Sequence, residues 1–159
     1  MYEQFIYRFF SIDHDRLDVI YEHFKSLHSQ QDNNTLSVFE LFQQQLEQHI
    51  VWEEEILFPL FEGRTGMNRA GPTFVMRNEH RIIKNHLAQI YTGLLNGENI
   101  DSLCVTLEEV LGDHNNKEEN ILYPTIDKLV SHEDITDICL KLVPYNYDAQ
   151  NRHNISNTA

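Results

Sequence analysis

Apolar residues recur at steps of three and four along four long stretches of this chain, and polar turns separate the stretches. Such steps predict amphipathic helices. The first predicted helix runs from about Ser11, its N-cap, to Gln31, with Ile12, Leu17, Ile20, Phe24 and Leu27 on one stripe. Asp32-Asn33-Asn34 is the turn that ends it. The second runs from about Thr35 to Phe61 and aligns Val38, Phe42, Leu46 and His49; Pro59 is expected to kink or end its last turn, and Gly63 to Pro72 reads as a loop. The third, about Thr73 to Leu95, carries His80, Ile83, Leu87, Ile90 and Leu94 on one side and stops at Asn96-Gly97. The fourth, about Asp101 to Leu129, aligns Leu103, Leu107, Leu111, His114, Glu118 and Leu122. A short fifth helix, His132 to Leu142, starts at a capping pair of Ser131 with Asp134 and ends before Pro144. No stretch alternates in the manner of a strand. The prediction is an all-α fold, an antiparallel up-down-up-down four-helix bundle with a short C-terminal helix. Residues 1–142 form its domain, and 143–159 form a polar tail.

The apolar stripes are interrupted by histidines, and the interruptions repeat. HIVWEEEILFP, from His49 to Pro59, and HNNKEENILYP, from His114 to Pro124, share a His, a Glu four residues on, a second Glu, Ile-Leu, an aromatic and Pro. Each is preceded by a His beside an acid, His14 between Asp13 and Asp15 in one half and His80 after Glu79 in the other. His14 precedes His49 by 35 residues and His80 precedes His114 by 34. The chain is a duplicated unit of His followed by His-x3-Glu.

Residues four apart on an α-helix differ by about 40° of rotation, so His49 with Glu53 and His114 with Glu118 can reach inward together. The adjacent Glu54 and Glu119 are turned about 100° away and suit a rim around the site rather than its centre. An imidazole on an apolar stripe needs a partner. Taken alone, such a His is most often a satisfied core residue, and a lone His/Glu pair is helix-surface support. Four imidazoles and two carboxylates in matched frames instead predict a site for a pair of metal ions. Imidazole and carboxylate suit first-row metals such as iron, manganese or zinc, and the lack of thiolate disfavours soft-metal sites. The candidate ligands are His14, His49, Glu53, His80, His114 and Glu118. Six protein ligands for two ions leave positions free for water or a small molecule, unlike a closed structural zinc site.

His23, His28, His86, His132 and His153 fall off this pattern and read as boundary or surface residues. Phe58 and Tyr123 are matched by the repeat and read as core packing, with a hydroxyl at the site as the alternative for Tyr123. Cys104 and Cys139 show no C-x-x-C spacing and read as buried thiols.

The formal charge of −13 disfavours nucleic acid and anionic membrane surfaces as partners. No apolar run approaches the roughly 18 to 20 residues that cross a bilayer. The start, MYEQFIYRFF, lacks the pattern of a secretion signal, so the expected location is cytoplasmic.

These residues resemble the hemerythrin-like HHE cation-binding family, whose domains carry a His on helix one, His-x3-Glu on helix two, Glu-His on helix three and His-x3-Glu on helix four. The resemblance covers about Ile12 to Leu129. It implies a non-heme diiron centre of two iron ions, or other divalent metals in their place. His14, His49, His80 and His114 would be terminal ligands, and Glu53 and Glu118 bridges. Oxygen-carrying hemerythrins have His-x3-His on helix three, where this chain has Met76 in place of the extra His, and His-x4-Asp on helix four, where it has His-x3-Glu. The resemblance is therefore to the broader branch of oxygen and iron sensors, nitric-oxide-responsive proteins and iron–sulfur cluster repair proteins. The function it implies is binding or sensing of oxygen, peroxide or nitric oxide at the dimetal site. Two alternatives stand beside it. One is a diiron enzyme of iron handling, peroxide or nitric oxide detoxification, or cluster repair. The other is a metal-stabilised module that engages a protein partner.

Overall fold

The computed structural model describes residues 4–142, and every regular element among them is helical. Helix α1 spans Phe5–Ser29, α2 Thr35–Trp52, α3 Phe58–Thr65, α4 Pro72–Asn96, α5 Asp101–Lys117, α6 Tyr123–Asp127 and α7 His132–Leu142. A π-helical turn, Glu53–Leu57, joins α2 to α3, and a second, Glu118–Leu122, joins α5 to α6. Helix α1 packs on α2, α4 on α5, and α2 on α4. The tail expected at 143–159 lies outside the described residues.

Helix α1 starts six residues before the expected N-cap at Ser11. Its first backbone N–H groups are capped from far along the chain: those of Ile6 and Tyr7 donate to the Asp127 carboxylate at 2.8 and 3.0 Å. The longer helix buries Ile6 and Phe10 and sets a stripe of Phe10, His14, Leu17, Tyr21 and Phe24. Ile12, placed on the apolar stripe from its spacing, is out of phase with these residues and 67% exposed.

Pro59 neither ends nor breaks its helix, which continues to Thr65, so the loop is shorter than expected. Proline lacks an N–H, and its ring collides with the carbonyl four residues earlier in an α-helix. Here the chain widens by one residue ahead of the proline: the Phe58 N–H donates to the Glu53 carbonyl, five residues back. The same occurs before Pro124, where the Tyr123 N–H donates to Glu118. Other boundaries fall close to those expected. Gly97 closes α4 in a left-handed conformation, φ 67°, and Ser131 and Asp134 form the expected reciprocal cap on α7.

Two apolar clusters fill the interior. One gathers Leu17, Phe24, Phe42, Leu46, Ile83, Leu87, Ile90 and Leu107 among others. The second gathers Ile6, Phe10, Leu57, Phe58, Met76, Leu122, Tyr123 and Ile138. On α1, Asp13 and His14 lie between the two clusters in sequence. So do Glu53 beyond α2, His80 on α4, and His114 on α5 with Glu118 beyond it, and His49, on α2, lies one turn before Glu53. A buried polar layer thus separates two apolar ones. Cys104 is buried as expected, but Cys139 is exposed: α7 turns Ile135, Ile138 and Leu142 inward, and Cys139 lies beside that stripe.

Candidate metal centre

The six residues singled out by the repeat converge in the polar layer. His14, His49, Glu53, His80, His114 and Glu118 are all buried, Glu53, His80 and Glu118 completely. Their donor atoms fall into two groups that share Glu118: Glu53, His80, His114 and Glu118 on one side, and His14, His49 and Glu118 on the other. Each glutamate offers one oxygen to each side. Glu118 Oε1 lies 3.0 Å from His114 Nε2, and its Oε2 lies 3.4 Å from His14 Nε2. Glu53 Oε2 lies 3.2 Å from His80 Nε2, and its Oε1 lies 3.7 Å from His49 Nε2. That is the disposition of two carboxylates able to bridge a pair of cations.

Each imidazole is aimed by a carboxylate behind it. The four Nδ1 atoms bond to Glu119 for His14, Asp13 for His49, Glu54 for His80 and Glu79 for His114, at 2.7 to 2.9 Å. Such a bond fixes the tautomer and turns Nε2 toward the centre. The pattern follows the duplication. The acid preceding the upstream His holds the frame His of the same half, and the second Glu of each frame holds the upstream His of the other half. Arg16 pairs with Asp13 and Lys117 with Glu79, so part of this outer charge is balanced at the surface.

The electrostatics favour cations. Burial opposes charge on His49, yet Glu53, Asp13 and Glu118 raise its pKa to about 9. Burial likewise opposes charge on His80, and Glu118, Glu53 and Glu54 raise it to about 11. Burial would push Glu118 up, but His114, His14 and His80 hold it well below the usual carboxylate range. The negative potential that retains protons on these rings equally favours a divalent ion in their place.

The residues fit a metal on structural grounds. Glu53 Oε2, His80 Nε2 and Glu118 Oε1 are buried without a hydrogen-bond partner. Orphaned buried polar atoms are costly and rare. Three of them facing one another, all good metal donors, are explained by a cation between them. The remaining histidines take no part: His23 and His132 are exposed, His28 and His86 half-buried, and His153 lies outside the described residues.

The Hemerythrin HHE cation binding domain model matches residues 6–126. The chain belongs to that family. It is also similar to the iron-sulfur cluster repair protein YtfE of Yersinia pseudotuberculosis serotype IB (strain PB1/+), at 31% identity over 91 residues. That match takes in 51% of this chain and 41% of the relative, so the chain spans less than half the relative's length. No solved structure matches it. Among the described residues, no helix is long and apolar enough to cross a membrane.

Within this hemerythrin HHE domain, the site holds one residue that the repeat assigned to core packing. Tyr123 is fully buried, as expected, but its hydroxyl stands among the candidate ligands, 2.6 Å from Glu53 Oε1 and 2.9 Å from Glu118 Oε2. Five residues along an α-helix is a rotation of about 140°, which would carry Tyr123 away from Glu118. The π turn returns it to the same face. Proline six residues after each inward glutamate was the signal in the sequence. Met76, at the position of the extra His of oxygen carriers, is buried in the apolar cluster with Phe10 and Phe58.

Proposed function

We propose that this hemerythrin HHE domain is a non-heme diiron protein that binds or senses oxygen, peroxide or nitric oxide. His14 and His49 would hold one ion, His80 and His114 the other, with Glu53 and Glu118 bridging. The observation that carries this reading is the trio of orphaned buried donors, Glu53 Oε2, His80 Nε2 and Glu118 Oε1, inside a ring of imidazoles each aimed by a carboxylate. When bound, the metal pair would supply an open coordination position and redox capacity for a diatomic or peroxide ligand. The chain's own part is to orient four Nε2 atoms, to split two carboxylates between two positions, and to exclude bulk water with an apolar layer on each side. The order in which the helices cross the two apolar clusters supports the antiparallel up-down-up-down arrangement. Helices α1 and α4 pass from the Phe10/Met76 cluster toward the Leu17/Ile83 cluster, and α2 and α5 pass the other way. A cytoplasmic location is part of this reading.

A second reading, iron handling in cluster repair, draws on the name of the similar YtfE protein. Elemental analysis of protein purified without added metal, followed by spectra of the reduced protein exposed to oxygen and to nitric oxide, tests the first reading. A new absorption band with either gas supports it; bound zinc and no spectral response would overturn it in favour of a metal-stabilised module that engages a partner. Glu118→Ala should lower the metal content to about one ion per chain or less, whereas His28→Ala should leave it unchanged. Equal loss in both would refute the ligand assignment.

A further inference from the structure

The two halves of the site match in their candidate ligands, and the carboxylates behind the imidazoles differ only as Asp13 against Glu79, but the ring that follows each inward glutamate brings different chemistry. Five residues after Glu53 comes Phe58, and five after Glu118 comes Tyr123. Phe58 stacks on His80, with ring centroids 5.7 Å apart and an interplanar angle of 8°, and brings no polar atom to that side. Tyr123 brings a hydroxyl to the other. Its oxygen lies 2.6 Å from Glu53 Oε1, 2.9 Å from Glu118 Oε2, and 3.4 Å from the Nε2 atoms of both His14 and His49. The carboxylate oxygens facing His14 and His49 are thus engaged by a phenol. Those facing His80 and His114, Glu53 Oε2 and Glu118 Oε1, are free of any hydrogen bond, as is His80 Nε2.

We propose that Tyr123 makes the two metal positions unequal, so that an ion enters the His80/His114 position first and the His14/His49 position fills second and more weakly. The inference rests on the dimetal reading above. At the first position three donor atoms carry no hydrogen bond that an ion would have to break; at the second a hydroxyl holds both of the carboxylate oxygens that face it. To admit an ion there, the phenol must surrender a hydrogen bond to a carboxylate, which is stronger than a neutral one. Fully buried among the candidate ligands, the hydroxyl has no bulk water to turn to instead. One such bond separates the two affinities by on the order of tenfold or more. Tyr123 is a positioning residue in this account: it acts on the ions through Glu53 and Glu118. The result is a domain with a distinct one-ion state, set by a single oxygen atom that its duplicated half lacks.

Zinc ion is a suitable probe, because the donor set is imidazole and carboxylate. The full chain, loaded with zinc, is equilibrated across a series of chelator-buffered zinc concentrations, and bound zinc is measured by elemental analysis. The wild-type chain should show a plateau near one ion per chain, with the second ion bound at roughly tenfold higher free zinc or beyond. Tyr123→Phe, which copies the residue of the other half, should shorten or abolish that plateau by strengthening the second step. His114→Ala should remove the tighter step, and His14→Ala the weaker one. The proposal is overturned if the wild-type chain takes up both ions in one step, which leaves the dimetal reading standing. It is equally overturned if Tyr123→Phe weakens the second step or leaves the separation unchanged. If no zinc concentration brings the wild-type chain above one ion, the dimetal reading fails with it.

Discussion

Glu54 and Glu119 each directly follow an inward glutamate, yet they touch the site only through His80 and His14 on other helices. Their part is to hold a ring in place, which makes their worth measurable apart from that of the ligands. Glu54→Ala should cost about 10- to 100-fold in metal affinity with the helix content intact, as loss of such outer partners typically does. Competition with a chromophoric chelator, alongside far-ultraviolet circular dichroism, reads both quantities. A different residue limits packing. Gly93 faces Ile100, whose Cγ2 would stand 2.6 Å from an added Cβ. Alanine would gain about 1 kcal/mol of helix propensity, but overpacking against a fixed neighbour costs about 1–3 kcal/mol. Gly93→Ala should therefore lower stability by about 1 kcal/mol, visible as a lower urea midpoint; a raised midpoint would show that Ile100 yields.

At the scale of elements, the two π turns are the least ordinary feature and the most consequential. Each begins on an inward glutamate and ends just before an aromatic-Pro pair. A turn closed by a bond to the fifth residue back lets Glu118 and Tyr123 share a face, so the proline that forces the turn also delivers the hydroxyl. Helix α7 illustrates ordinary local control. Ser131 and Asp134 cap each other, and Arg64 at the end of α3 donates to the Asp134 carboxylate at 2.7 Å. Ser131→Ala should cost about 1 kcal/mol, the usual worth of such a cap, read by thermal or urea unfolding. The Ser131 hydrogen bonds, foremost, and the nearby Arg64 hold the Asp134 carboxyl below its ordinary pKa. A depressed folded pKa gives stability that is present above the unfolded value, near 3.8, and lost as pH falls through the folded one. The stability difference between wild type and Asp134→Ala should accordingly be constant near neutrality and narrow only below about pH 4.

The whole molecule is a polar layer held between two apolar ones, and the polar layer carries much of its negative charge inward. Two buried glutamates and four carboxylates behind the imidazoles concentrate negative potential where the donors meet. A cation there neutralises charge that folding has already buried. Any ion that binds only the folded chain stabilises it by mass action, about 2.7 kcal/mol when present at a hundred times its Kd. For a chain of this size that corresponds to a Tm higher by about 5–10 °C. Stripping the metal should lower Tm by that amount, and adding it back should restore the value. An unchanged Tm on removal would argue against ions in this layer.

The residues of the candidate site were legible in the sequence because its information is local and duplicated. An i, i+4 pair lies on one helix face whatever the rest of the chain does, and finding that pair twice in equal frames marks His49, Glu53, His114 and Glu118 without any tertiary knowledge. The start and stop of α7 were legible for the same reason, since Ser131 and Asp134 act on each other. What local pattern could not supply was decided by contacts across the fold. Helix α1 begins at Phe5 because Asp127, remote in sequence, caps it. Asp13 and Glu79 gained their partners only when the two helices of one half packed together, and Glu54 and Glu119 only when the two halves met. Tyr123 became part of the site through a change of helical register, which moves every residue beyond it by one position around the helix axis. A spacing rule assumes constant register, so it places residues faithfully up to such a turn and loses them after it.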